Sequence, residues 1–176
     1  MKTILVISLI SDDKPGVVEA LAKVINDNGG NWQESRMAHM AGKFAGIVQV
    51  SVATEQAESL KTDLRAMSDI RILLDEASPL KPTQGEYRLV EFNAIGNDRP
   101  GIVREVAQAF ASHGINLAEL HTNYISAPHS GEPLFQAQGE LQLPRDIDAD
   151  KLHEQLDDIA DELGIEIDIE IPEALE

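Results

Sequence analysis

The sequence contains one short motif twice, as Asp13-Lys14-Pro15-Gly16-Val17-Val18 and as Asp98-Arg99-Pro100-Gly101-Ile102-Val103. The second copy lies 85 residues after the first. The same offset continues without a gap and matches Ala22 with Ala107, Gly29 with Gly114, Asn31 with Asn116, and Glu34 with Glu119. Agreement at so many fixed spacings indicates an internal duplication, and the 176 residues therefore consist of two copies of one module.

The junction between the copies is marked by the stretch from Ser78 to Gly85, which contains two prolines and a glycine and interrupts every periodic pattern. We predict a first domain over residues 1–80, a linker over 81–86 and a second domain over 87–176. Each copy then has about 80 to 90 residues, a size at which small domains still fold alone.

Hydrophobic periodicity has the same order in both copies. In the first copy it predicts strands over Thr3–Ser11, Asn31–Met40, Phe44–Ala53 and Ile70–Leu74, a helix that starts at Pro15, and a helix over Glu55–Met67. In the second copy it predicts strands over Tyr87–Gly96, Asn116–Ser126, Leu134–Leu143 and Ile165–Ile171, a helix that starts at Pro100, and a helix over Ala149–Leu163. Gly29 and Gly114 are predicted to end the first helix of each copy in the left-handed conformation.

The order strand-helix-strand-strand-helix-strand is typical of the ferredoxin-like α+β sandwich, in which both helices cover one face of a four-stranded antiparallel sheet. The fold class predicted is therefore α+β, with two ferredoxin-like βαββαβ domains in tandem. Each sheet has one face without helices. We expect that face to be covered by pairing of the two copies, either within the chain or with a second chain in a homo-oligomer.

Charge and composition exclude several classes of function. The chain carries 14 basic and 31 acidic residues, a net charge of -17, and residues 145–176 alone contribute -11. Such a field repels phosphate backbones, which argues against direct binding of nucleic acid. The absence of cysteine excludes disulfides and iron-sulfur clusters and fits a cytoplasmic location. No stretch predicts a membrane span or a signal peptide.

We find no catalytic constellation in the sequence. The five histidines lack the spacing of a metal site, and no nucleophile elbow, phosphate loop or dinucleotide motif follows a strand. The paired carboxylates at 12–13 and 157–158 are neighbours that point apart and do not indicate acid-base catalysis. We therefore expect no enzyme activity, no cofactor and no metal.

The repeated motif has a structural interpretation and a functional one. Structurally, Asp13 and Asp98 would accept hydrogen bonds from the first amides of the helix, and the proline would start the helix. Functionally, the amides of a helix N-terminus would bind a carboxylate while the aspartate would hold an ammonium group, and these are the two ends of an amino acid. Asn31 and Asn116 would add polar contacts across a pairing of domains.

Both copies resemble ACT domains, the small ligand-binding modules of amino-acid metabolism, in the strand, the Asp-x-Pro-Gly turn, the amphipathic helix and the Gly-x-Asn that follows it. The resemblance covers nearly the whole chain and implies a ligand at a pairing interface near the turn. It implies contacts from Asp98, Gly101, Ile102 and Asn116, and also from Asp13, Gly16, Val17 and Asn31. Trp32 stands where the second copy has Leu117, which predicts a first copy that has lost its pocket and keeps a packing role.

A chain that consists of two ACT-like modules resembles the regulators of that family. The resemblance implies a non-enzymatic sensor of a small amino acid, with glycine as the first candidate. It also implies repression of a glycine cleavage operon through a protein partner, a LysR-type transcriptional activator. The acidic segment from Asp146 to Glu176 is the candidate docking face. Two alternatives stay open, namely a regulatory subunit of a metabolic enzyme and a small ferredoxin-like enzyme with an unrecognised site.

Overall fold

The computed structural model describes residues 1–77, 87–126, 131–145 and 147–170. The chain divides into two compact units, Met1–Lys81 and Pro82–Glu176. The predicted linker at 81–86 lies outside the described residues, so the predicted domain limits stay predictions.

The first unit has the element order that the sequence predicts. It contains β1 (Lys2–Asp12), α1 (Val17–Asp27), β2 (Asn31–Met40), β3 (Lys43–Ala53), a 3-10 turn (Thr54–Gln56), α2 (Ala57–Arg65) and β4 (Ile70–Ala77). The strands form one antiparallel sheet in the order β2-β3-β1-β4. The last strand is three residues longer than predicted, because Asp75, Glu76 and Ala77 continue the ladder against Val6, Leu5 and Ile4 of β1.

The second unit repeats this architecture. It contains β5 (Tyr87–Asn97), α3 (Ile102–Ser112), β6 (Asn116–Ser126), β7 (Pro133–Pro144), α4 (Ala149–Leu163) and β8 (Ile165–Glu170). Its sheet has the order β6-β7-β5-β8, which matches the first sheet strand for strand. The predicted α+β class with two ferredoxin-like βαββαβ domains is therefore confirmed.

Each unit has its own hydrophobic core between the sheet and its two helices. In the first unit the alternate residues Leu5, Ile7 and Leu9 of β1 are buried against Leu21 and Ile25 of α1. The second core is centred on Phe110, whose ring meets that of Phe92 edge to face at 5.4 Å between centroids. Burial of alternate strand residues against one helical stripe is what the two hydrophobic periods predict.

The start of the first helix differs from the prediction in both units. Neither proline opens its helix: α1 begins at Val17 and α3 at Ile102, two residues later than expected. The residue that precedes each helix is a glycine in the left-handed region, Gly16 with φ +94° and Gly101 with φ +95°. Only glycine adopts this conformation without strain, so the glycine, and not the proline, sets the turn.

The aspartates of the motif do not cap the helices either. Neither helix has a side-chain hydrogen bond to its first amides. The backbone N–H of Asp13 instead donates to the carbonyl of Gly42 at 3.0 Å, and that of Asp98 donates to the carbonyl of Pro133 at 3.2 Å. Each turn is thus fastened to the start of the third strand of its unit, and both aspartate side chains are exposed.

The predicted helix ends are confirmed. Gly29 and Gly114 follow α1 and α3 with φ of +69° and +72°. The N–H of the next residue in each unit, Gly30 or Ile115, donates to a carbonyl of the last helical turn. This pattern satisfies carbonyls that the helix itself leaves without partners.

A β-bulge lies in the edge strand β6 between Leu117 and Glu119, and it depends on a close approach to Gly139 of β7. A Cβ atom added at Gly139 would lie 2.7 Å from the carbonyl carbon of Glu119 and 3.1 Å from the Cα of Leu120. Both neighbours are backbone atoms, which a rotamer change does not move. Gly139 therefore allows the bulged strand to pair.

We expect Gly139→Ala to destabilise the second unit by about 3 kcal/mol, since the strands must separate to admit the methyl group. Gln138→Ala, on the exposed face of the same strand, is the control and should change stability by less than about 0.5 kcal/mol. The measurement is urea unfolding of both variants. Equal midpoints for the two variants would contradict the role given to Gly139.

Candidate ligand-binding site

A cavity of about 300 Å³ lies in the second unit, between the N-terminus of α3 and the edge strand β6. Three of the residues predicted to bind a ligand, Asp98, Gly101 and Ile102, line it together. The other lining residues come from the turn, from α3, and from the ends of β6 and β7, namely Arg99, Val103, Thr122, Asn123, Tyr124 and Phe135. The volume suits a small molecule.

The start of α3 has amides without an intrahelical partner, and one of them belongs to Val103, which lines the cavity. The first bond inside α3 runs from the N–H of Glu105 to the carbonyl of Gly101, at 3.1 Å. The N–H of Ile102 donates to the carbonyl of Arg99, whereas the amides of Val103 and Arg104 precede the first intrahelical bond. Helix amides in this position carry partial positive charge and favour an anionic group.

Charged side chains flank the turn on both sides. Asp98 is exposed and forms no ion pair among the described residues. The guanidinium of Arg99 contacts the carboxylate of Glu105 at 2.5 Å, and this hydrogen bond lowers the pKa of Glu105 and raises that of Arg99. Arg99 has five N–H donors, so the pair with Glu105 leaves several of them for a ligand carboxylate.

The wall of the cavity combines apolar and polar groups. Ile102 and Phe135 are buried members of the second core and give the site an apolar side. Tyr124 is 69% exposed and stands with Thr122 on the outer strand β6, so its hydroxyl is available to a ligand. A few polar groups above an apolar wall are the usual composition of a small-molecule site.

The fourth predicted residue of the second copy, Asn116, lies far from this cavity. It pairs with Gln142, which pairs with Leu89, whereas the turn follows Asn97 at the other end of β5. The eight steps along the strand from Leu89 to Asn97 span about 27 Å at about 3.4 Å per residue. The side chain of Asn116 donates to Gln142 at 2.8 Å. Asn116 and Asp98 of one unit therefore do not contact the same small ligand.

The first unit shows the same separation. Asp13, Gly16 and Val17 lie at the turn after β1, whereas Asn31 opens β2 at the far end of the sheet, in the row of Ser51 and Ile4. Trp32 also lies at that far end and packs against the first core, as Leu117 packs against the second. Trp32 therefore does not fill the turn of its own unit. The predicted ligand contacts of the first unit, and the predicted loss of its pocket, both stay predictions.

Sequence reasoning did not select Arg99, Thr122 or Tyr124. A signal for Arg99 was present, because the residue after the aspartate is basic in both copies, Lys14 and Arg99. The two β6 residues carried no such signal. They reach the cavity only because the edge strand ends beside α3, a contact that spans about twenty residues of sequence.

Other candidate chemistry receives no support from the structure. The described part of the chain holds no group of three or more metal-ligating side chains. His121 contacts Glu119 at 2.8 Å, His113 contacts the carbonyl of Ala109 at 2.9 Å, and His129 lies outside the described residues. Within the described ranges, no helix is both long enough and apolar enough to cross a membrane.

Comparison with known proteins supports the assignment of the fold. Residues 3–72 match the family model of the ACT domain. The chain is 23% identical over 170 residues to the glycine cleavage system transcriptional repressor of Escherichia coli (strain K12), covering 95% of this chain and 89% of that protein. The repressor of Shigella flexneri has the same identity and coverage.

Two solved structures match both units. A protein of unknown function from Galdieria sulphuraria has a TM-score of 0.81 and 29% identity, over 97% of this chain and 98% of that one. A protein provisionally described as a glycine cleavage system transcriptional repressor has a TM-score of 0.73 and 21% identity, over 97% of each chain. The resemblance to the ACT domain is therefore confirmed for the first unit, and both units have the fold of these two structures.

The contact between Arg99 and Glu105 predicts a pH dependence. The pKa of Glu105 is lowered in the folded state from its ordinary value of 4.5, so the stabilisation is complete above pH 4.5 and is lost as the pH falls through the lower folded pKa. In a carboxyl NMR titration, Arg99→Gln should raise the midpoint of Glu105 toward 4.5. Lys151→Gln, on α4, is the control. An unchanged midpoint in Arg99→Gln would contradict the contact.

Proposed function

We propose that this chain is a non-enzymatic amino-acid sensor that represses the glycine cleavage operon through a protein partner. The observation that carries the first part is the cavity beside Asp98, where a free carboxylate, an arginine and unpaired helix amides meet an apolar wall. The similarity over 95% of the chain to a protein named as the glycine cleavage system transcriptional repressor supports the second part.

The groups around the cavity match the two ends of an amino acid. The Asp98 carboxylate would hold the ammonium group, and the Arg99 guanidinium together with the amide of Val103 would hold the carboxylate. A ligand with both charges gains binding free energy from Asp98 and from Arg99, whereas an amine or an acid alone gains binding free energy from only one of them. Glycine is the first candidate ligand, because the chain is similar to a protein named as the repressor of the glycine cleavage system.

The two asparagines would contact a ligand only if two ACT-like domains pair. Because Asn116 lies about 27 Å from the turn of its own unit, it would reach a ligand only at the turn of another ACT-like domain. The same holds for Asn31 and the turn that contains Asp13, Gly16 and Val17. A site completed in this way would couple ligand binding to association, within the chain or in a homo-oligomer.

Repression would require another protein. The net charge of -17 opposes approach to DNA, so the DNA contacts would belong to the partner, a LysR-type transcriptional activator. The acidic segment predicted to dock it includes α4, on which Asp157, Asp158, Asp161 and Glu162 are all exposed. Asp146 and residues 171–176 of that segment lie outside the described residues.

Calorimetric titration with glycine, alanine and serine tests the ligand. Asp98→Asn should weaken binding about tenfold, since a charge-assisted hydrogen bond to the ammonium group is lost. Gly101→Val is less informative, because a φ of +95° strains any other residue and the fold itself would suffer. Asp158→Asn, which removes the same charge from α4, should leave affinity unchanged. Equal affinities of wild type and Asp98→Asn would place the ligand elsewhere.

A mobility-shift assay with operator DNA tests the partner. The protein alone should give no shift at about 0.15 M salt, and it should supershift the complex of the activator. Neutralising Asp157, Asp158, Asp161 and Glu162 should weaken the supershift, and the effect should shrink as salt screens the attraction. Neutralising Glu19, Asp27, Glu55 and Glu58, exposed acidic residues of the first unit away from its open sheet face, is the control for net charge. A shift by the protein alone would refute the mechanism.

A further inference from the structure

A second cavity, of about 380 Å³, lies in the first unit at the end of β1. It opens between the turn that precedes α1 and the turn that precedes β4. Its lining includes Asp12, Lys14, Lys43, Asp69 and Arg71, so that three cations and two carboxylates meet there. None of the residues predicted to bind an amino acid in this unit lines the cleft.

The cations of the cleft are held in place by its two carboxylates, with one cation in excess. Lys14 contacts Asp69 at 2.6 Å, and Lys43 pairs with Asp12. Arg71 is exposed and forms no ion pair among the described residues. It still acts on Asp12, whose pKa is lowered first by the hydrogen bond from Lys43 and then by the positive charges of Lys43, Lys14 and Arg71. The cleft therefore has a net charge of about +1 in a strongly acidic protein.

The matching positions of the second unit do not carry this cluster of cations. The register places Leu134 opposite Asn97 where the first unit has Lys43 opposite Asp12. It places Glu166 opposite Ile95 where the first unit has Arg71 opposite Ile10. Because the two backbones match strand for strand, the cations are a property of the first unit and not a requirement of the fold.

The hydrogen-bond capacity of the cleft identifies the class of ligand. Each lysine has three donors and arginine has five, and the ion pairs use only a few of them. The donors left over exceed what the two oxygens of one carboxylate accept, whereas a phosphate group offers three strong acceptor oxygens. We propose that this cleft is a second ligand site, which binds the phosphate group of a small metabolite through Arg71, Lys14 and Lys43.

The acidity of the rest of the chain does not prevent such binding. At physiological ionic strength charges are screened over about 8 Å. Residues 1–85, which include the cleft, carry 9 basic and 11 acidic residues and are therefore close to neutral. A phosphate at the cleft would therefore respond mainly to the local excess of positive charge. This site shares no lining residue with the proposed amino-acid site, which lies in the second unit.

The test is an amide NMR titration of the full chain with inorganic phosphate, against sodium chloride at equal ionic strength. Phosphate should give saturable shifts at Asp12, Ser68, Asp69 and Arg71 that chloride and acetate do not reproduce. Arg71→Gln should weaken phosphate binding about tenfold. Arg71→Glu introduces the residue type that the second unit has at the matching position, Glu166, and should abolish phosphate binding.

Arg36→Gln is the matched control, because Arg36 is exposed on the same sheet but three strands away and pairs with Glu34. It should leave phosphate binding unchanged, and melting curves of all variants should match that of the wild type. Equal shifts with chloride and phosphate would overturn the proposal, as would equal losses in Arg71→Gln and Arg36→Gln. Neither result would bear on binding of glycine at Asp98.

Discussion

The structure depends on one constraint, the left-handed glycine that connects the first strand of each unit to its first helix. At φ near +95°, Gly16 and Gly101 reverse the chain within four residues and bring the helix onto the sheet. The backbone bond from the aspartate N–H to the third strand fixes the same turn from the other side. Because no side chain caps the helix, its first amides stay available at the surface. One backbone conformation thus produces both the connection of strand to helix and a helix N-terminus whose first amides have no side-chain cap.

Duplication supplied this turn twice, and the side chains around it diverged. The basic residue after the aspartate has a different partner in each unit. Arg99 contacts Glu105 on its own helix, whereas Lys14 contacts Asp69 before β4. In the second unit, the contact of Arg99 with Glu105 keeps a cation beside the helix N-terminus. In the first unit, the contact of Lys14 with Asp69 places the cation on the other side of the turn, where it lines a different cleft. The two units therefore have the same backbone at this turn but different side-chain contacts around it.

Most of the fold could be predicted from the sequence because its signals are local. Alternation along β3 and the helical stripe of α1 reflect burial, which acts on each residue in turn, and β2, β6 and α4 begin and end where their patterns do. The helix starts were misjudged because proline is a familiar first residue of helices, whereas the φ of Gly16 and Gly101 is invisible in the motif. The site was only partly predictable. Strand direction separates Asn116 from Asp98, and Tyr124 and Thr122 reach the cavity through pairing that no short pattern encodes.

The two open sheet faces extend this divergence to the rest of the surface. In the first unit that face carries the exposed apolar side chains of Ile10, Ile47 and Leu73. In the second, Glu119, Glu140 and Glu91 stand in one cross-strand row, with Asp168 in the next. Like charges directly opposite each other destabilise a sheet, so packing within the unit does not explain that row. Exposure of the apolar face to water costs free energy, and burial of the acidic face in an apolar interface would cost free energy too. The two copies are therefore suited to different surroundings, although their folds are the same.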